Sequence, residues 1–124
     1  NLRMVRGKGV NSLSTILEGI SDGVVYLDPA AKYLSINKAG AEIIRELGRN
    51  PEEVIGRSVW EVFPELRGTI VEREITRALE SEVMIEYQFV YPPNHHLYEA
   101  QGYPSPEGLI LVFRDITSRQ QRHK

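Results

Sequence analysis

The last third of this chain limits its fold more tightly than any other stretch. Residues 84–91 are rich in β-branched and aromatic side chains. Residues 97–103 follow after the turn Pro92-Pro93-Asn94, and residues 109–116 follow after a turn at 104–108. Three successive strands joined by short turns pair as an antiparallel meander. Within them Tyr87, Phe89 and Tyr91 alternate, and so do Leu109, Leu111 and Phe113. Period-two spacing puts each trio on one face of a sheet. For residues 97–103 the facing stays open, because neither parity is cleanly apolar.

Upstream the pattern is mostly helical. Leu13, Ile16, Leu17 and Ile20 form the i, i+3, i+4, i+7 stripe of an amphipathic helix. Asp22-Gly23 turns the chain into a strand at 24–27, Asp28-Pro29 stops it, and 33–36 reads as its hairpin partner. Asn37 stands where a helix cap belongs, with helix material over 39–47 ending at Gly48. Asn50-Pro51-Glu52-Glu53 starts a second, short helix that Gly56 ends, and Pro64 breaks the apolar stretch around Trp60 and Phe63. Over 69–81 Val71, Ile75, Ala78 and Leu79 share one arc, with Arg73, Glu74, Arg77 and Glu80 opposite. Strands and helices segregate, so the fold class is α+β with an antiparallel sheet, and the βαβ alternation of a doubly wound fold is absent.

The 124 residues suffice for one core, and a charged share of 26% suits a globular domain. Fifteen basic residues against seventeen acidic ones give a charge of -2, without the basic excess of a nucleic-acid footprint. No apolar run reaches the ~20 residues of a membrane span. The expectation is a soluble cytoplasmic domain excised from a longer protein. It has a solvated lead-in at 1–10, a domain over 11–117 and a linker start at 118–124. There is no cysteine, which excludes disulfides, thiolate metal sites and a cysteine nucleophile.

Material for catalysis is thin. No G-x-S-x-G elbow, phosphate loop or G-x-G-x-x-G motif occurs. His95 and His96 sit beside a turn and His123 lies in the tail, so adjacent histidines on the surface are expected rather than a metal site. No catalytic or metal-binding residue is assigned. The aromatic trios wall either a dry core or a ligand pocket.

The stretch Tyr98-Glu99-Ala100-Gln101-Gly102-Tyr103-Pro104, then Glu107 through Phe113-Arg114-Asp115-Ile116-Thr117, resembles the end of a PAS domain, with Asp-Ile-Thr closing the last strand. Leu17-Glu18-Gly19-Ile20-Ser21-Asp22-Gly23-Val24, Leu27-Asp28 and Asn37 agree with its N-terminal half. Ile55-Gly56-Arg57-Ser58-Val59-Trp60-Glu61-Val62-Phe63-Pro64-Glu65 is similar to the short-helix segment of the sensory-box type in histidine kinases. The resemblance covers nearly the whole chain.

The resemblance implies a PAS fold: five antiparallel strands in order 2-1-5-4-3 with helices on one face. It implies a non-catalytic sensing and dimerisation module. Such a module is fused to a histidine kinase of a two-component system, a diguanylate cyclase or a transcriptional regulator. The implied inward set is Val25 and Leu27, Leu111 and Phe113, Tyr87 and Phe89, and Ile75 and Leu79, with Trp60 closing one end. That set would hold a small apolar ligand, and a filled core serving only dimerisation is the alternative. A cysteinyl flavin adduct lacks its cysteine, and haem through a long-helix histidine lacks its ligand. No cofactor is therefore assigned. Asp115 and Thr117 would relay signal into the outgoing linker, with Arg114 or Arg119 pairing Asp115; an ordinary strand-end turn is the other reading. Leu13, Ile16, Leu17 and Ile20 would either cap the domain or contact a second copy in a homodimer. Neither nucleic acid nor membrane is an expected partner.

Overall fold

The computed structural model describes residues 22–117. The stripe Leu13, Ile16, Leu17, Ile20 and the tail with Arg119 therefore lie outside the described residues.

The chain enters through β1 (Gly23–Leu27) and returns through β2 (Tyr33–Ile36). Asp28 shapes the hairpin, its Oδ1 accepting from the N–H groups of Ala30 at 2.8 Å and Lys32 at 2.9 Å. Helix α1 (Lys38–Glu46) begins at the cap Asn37, and α2 (Pro51–Val54) at the cap Asn50. Helix α3 (Val59–Val62) opens on a reciprocal capping box. The Ser58 hydroxyl accepts from Glu61 N–H at 3.1 Å, and Glu61 Oε1 accepts from Ser58 N–H at 3.0 Å. A single 3-10 turn (Pro64–Leu66) leads into α4 (Ile70–Ser81), whose cap is Thr69. The meander β3 (Ile85–Tyr91), β4 (His96–Ser105) and β5 (Gly108–Asp115) completes the fold. The sheet is antiparallel throughout, in order β2-β1-β5-β4-β3.

Two local expectations are corrected. The expected turn at 104–108 shrinks to Pro106-Glu107, because Pro104 and Ser105 still pair with Leu109 and Gly108. Gly108 permits so tight a reversal: its φ is 143°, and any Cβ there would run into the Leu27 carbonyl. Residue 69 caps the long helix from outside rather than belonging to it.

On β4 the inward parity is Tyr98, Ala100 and Gly102, all buried. In register, Ile85 faces Gly102, which faces Leu111, which faces Val25. Ile85 fills the space that Gly102 leaves, since a Cβ at Gly102 would lie 2.6 Å from Ile85 Cγ1. The next row runs Tyr87, Ala100, Phe113, Gly23. Helix α1 crosses close above it: a Cβ on Gly23 would meet Gly40 Cα and Phe113 Cζ, each at 2.9 Å.

Asn37 holds that crossing. Its Oδ1 accepts from Gly40 N–H at 2.8 Å and from Val24 N–H at 2.9 Å, and its Nδ2 donates to the Asp22 carbonyl at 3.3 Å. The short-helix segment is tied to β2 in the same way. Tyr33 N–H donates to Arg57 O at 3.0 Å and its carbonyl accepts from Gly56 N–H at 2.8 Å.

Removing the Asn37 side chain deprives a helix start and a strand amide of one acceptor. Asn37→Ala should lower stability by about 2–3 kcal/mol in urea unfolding, more than a cap alone. Asn37→Asp keeps the acceptor and should lose less than half of that. Equal losses for the two variants would show that the acceptor is not what holds α1.

Candidate functional site: an apolar chamber under the helices

Between the sheet and the helices lies a cavity of about 100 Å³. On the measure by which one water needs roughly 10–15 Å³, that is room for more than solvent. Val25, Leu111 and Phe113 supply the centre of its floor, and Tyr98 and Ala100 continue it on β4. Tyr87, Phe89 and Tyr91 rise from β3, and Tyr33 closes in from the opposite edge on β2. The roof is Ile43, Ile44 and Leu47 of α1 with Val71 and Ile75 of α4. Val59, Phe63 and Leu66 form the remaining wall. Ala100 lies on the floor between Tyr87 and Phe113 in its sheet row, and its single methyl leaves room beneath the roof.

Of the expected inward set, Val25, Ile75, Tyr87, Phe89, Leu111 and Phe113 line this chamber. Leu27, Trp60 and Leu79 do not. Leu27 is wholly buried two residues beyond Val25, paired with Leu109 where the core is filled. Trp60 is turned away because Val59, Val62 and Phe63 take the buried face of their segment, and Arg67 stands over its ring at 5.9 Å. Leu79 lies one turn past Ile75 and shares a separate shallow groove with Trp60, Ala30 and Ala31.

One wall carries a polar cluster that sequence reasoning missed. The Arg49 guanidinium stands 4.7 Å over the Phe63 ring. Its Nε donates to Val62 O at 2.8 Å and its Nη1 to Leu47 O at 3.2 Å. Nη2 reaches both Glu65 oxygens, at 3.2 and 3.1 Å. The Tyr91 hydroxyl donates to Glu65 Oε2. Burial, then the bond to Glu65 and its charge, push the Tyr91 phenol up to about 12. Three chamber residues, Leu47, Phe63 and Tyr91, are thus fastened by one ion pair. No local motif announces it, since its members are 16 and 26 residues apart.

A second network sits where the chain leaves the sheet. Asp115 pairs with His96, Nδ1 to Oδ2 at 2.7 Å, and its Oδ1 accepts from Thr117 N–H at 2.9 Å. The Thr117 hydroxyl accepts from Leu97 N–H at 2.8 Å. The expected pairing of Asp115 with Arg114 is corrected: the strand alternation sends Arg114 to the other face, where it grips Asp22 with Nε at 2.9 Å and Glu99 with Nη1 at 2.8 Å. His95 turns in the left-handed region at φ 59°, so the two histidines part company as the turn ends. Desolvation works against the Asp115 charge, but bonds from the Thr117 hydroxyl and N–H and from His96 outweigh it and hold the carboxyl below its usual value.

Comparison with known proteins places this architecture. The sequence family described as the PAS fold matches residues 17–121. Among curated proteins no sequence matches significantly. A domain of an HTR-like protein from Haloarcula marismortui is similar in structure, with 22% identity over 79% of this chain and 100% of that one and a TM-score of 0.62. The PAS domain of the quorum-sensing receptor RpfR from Cronobacter turicensis, solved in complex with BDSF, has 22% identity over 79% of this chain and 96% of its own, at a TM-score of 0.62. The PAS domain of BvgS from Bordetella pertussis has 15% identity over 94% of this chain and 93% of that one, at 0.60.

The Asp115 network makes stability depend on acid. Folding lowers this pKa, so the unfolded chain holds the proton more tightly. The stabilisation is full above the ordinary carboxylate range, and it drains away as pH falls through the lower folded value. Melting temperatures between about pH 2 and 5 should therefore fall more steeply for the wild type than for Asp115→Asn. Parallel curves would remove Asp115 from the acid response.

Proposed function

Because the chain belongs to the PAS-fold family, we propose that it is a non-catalytic sensing and dimerisation module of a larger signalling protein, and that it takes a small apolar molecule into the chamber. The observation that carries the reading is the chamber itself: about 100 Å³ lined by apolar side chains between the sheet and the helices. Native interiors leave few voids of that size, and an apolar one is a ready site for an apolar guest. The RpfR domain, solved in complex with BDSF, is a relative of the same fold. Among the described residues no helix is long and apolar enough to cross a membrane.

In this reading residues 11–117 form the module and 118–124 begin the connection to an output domain, a histidine kinase, cyclase or transcriptional regulator. Leu13, Ile16, Leu17 and Ile20 contact a second copy, and the module works in the cytoplasm. Asp115 and Thr117 relay occupancy of the chamber. The path is short: Tyr98, a wall residue, pairs directly with Asp115 across the β4–β5 ladder. A guest has to favour one packing of that ladder over another to shift the population that the output domain reads.

Native mass spectrometry of the purified chain should show a dimer with a reproducible mass excess over the polypeptide. Ala100→Leu, which fills the floor, should abolish the excess and leave the dimer intact. A dimer with no excess in either protein would favour the filled-core, dimerisation-only alternative. The relay predicts that ligand occupancy slows amide exchange at Leu97 and Thr117, several-fold more than at Glu86 on the edge strand. Uniform or absent change at those amides would end it.

A further inference from the structure

Resting on the proposal that the chamber holds a guest, a second feature says what the guest must carry. Tyr33 and Tyr87 enter the chamber from the two edge strands of the sheet, and their residues are only 6% and 9% exposed. Among the described residues neither hydroxyl has a hydrogen-bond partner, and neither is sealed in by protein atoms as Ser105 Oγ is. Three other tyrosines are satisfied: Tyr91 by Glu65, Tyr98 by Asn94, and Tyr103 by Gln101. Two phenols left open on an apolar wall are a cost unless something in the chamber answers them.

Water answers poorly. A buried water settles with two to four polar partners, and the rest of this lining is hydrocarbon or already engaged. A charged guest fits no better, because no charged side chain lines the chamber and the neighbouring Arg49 is already paired with Glu65. Desolvation is the first cause that raises both phenol pKa values, so both remain protonated donors for an acceptor oxygen.

We propose that the chamber selects a neutral apolar molecule bearing a carbonyl-type oxygen, which the Tyr33 or the Tyr87 hydroxyl receives while its hydrocarbon body packs on Val25, Ile75, Leu111 and Phe113. Tyr33 and Tyr87 are then the specificity-determining pair, and the apolar lining supplies bulk affinity. The cost of the unpaired hydroxyls in the empty protein is recovered only by a guest with an acceptor, which is how a buried donor discriminates.

Acetophenone and α-methylstyrene share one shape and differ in a carbonyl against a methylidene, so they separate the two ideas. Both are titrated by amide NMR into the wild type and into Tyr33→Phe/Tyr87→Phe, which keeps both rings. The double substitution should weaken acetophenone about five-fold or more and α-methylstyrene less than about two-fold. Equal changes for the two probes would overturn the donor pair and leave the chamber standing. Failure of both probes to shift wall-residue amides in the wild type would overturn the chamber reading itself. The unliganded double variant should melt at the wild-type temperature or above it, because no protein bond is removed. A clearly lower melting temperature would mark the hydroxyls as structural and overturn the inference.

Discussion

The placement of α1 over the sheet depends on Asn37. One side-chain oxygen caps α1 through Gly40 and at the same time supports Val24, so the start of the helix and the start of β1 are fixed by a single atom. The Asn37 N–H returns the tie by donating to Val24 O at 2.9 Å. With that end pinned, Gly23 and Gly40 let helix and strand approach to a distance that Cβ atoms would forbid. The rest of α1 can only run outward over the sheet, which carries Ile43, Ile44 and Leu47 across as a roof. A chamber needs a roof held at a set height; here hydrogen bonds set it at one end and the Arg49 cluster sets it at the other.

That second fastening has a division of labour. As a half-exposed ion pair, Arg49–Glu65 contributes little by Coulomb attraction alone, with side chains 32% and 29% exposed. Its value is geometric. The planar guanidinium reaches the carbonyl that ends α1, the carbonyl that ends α3 and the carboxylate of the 3-10 turn, and it lies on Phe63. A lysine has one charge centre and no fork, so it cannot join those elements at once. Through Glu65 the same cluster holds the Tyr91 phenol, and β3 is thereby drawn to the helices.

Much of this was legible before any coordinates, and the reasons differ by residue. Asn37 and Asn50 are caps whose chemistry is local, so those two helix starts were readable from a few neighbours. The Ser58-x-x-Glu61 box is as local, but Trp60, Val62 and Phe63 within and beside it give an apolar stretch whose clearest signal is the break at Pro64. The inward parity of β4 was not legible, because Ala100 and Gly102 carry almost no apolar signal and Tyr98 competes with Tyr103 for the inner face. Only the bulk of Tyr87, Leu111 and Ile85 on neighbouring strands makes small residues right there. Trp60 and Leu79 mislead for the opposite reason: large apolar side chains suggest the deepest place, yet they cover a groove of their own.

The positions of residues 22 and 117 follow from the same sheet order. β1 and β5 are neighbours at the centre, so the residue before the first strand and the residues closing the last one share an edge of the structure. Arg114 makes this literal by holding Asp22 and Glu99 on the outer face. Next to it, Asp115 and Thr117 hold His96 and Leu97 at the start of β4. Ile116 adds a backbone bond to Leu97 O at 2.8 Å. The first strand, the last strand and the start of β4 thus meet within a few residues, and Tyr98 and Phe113 project from the same ladder into the chamber. A change in how the floor packs can reach the exit along this ladder, which carries Tyr98 and Phe113 on the floor and Asp115 at the end of β5. That is why the relay proposed above runs through β4 and β5 rather than through α4.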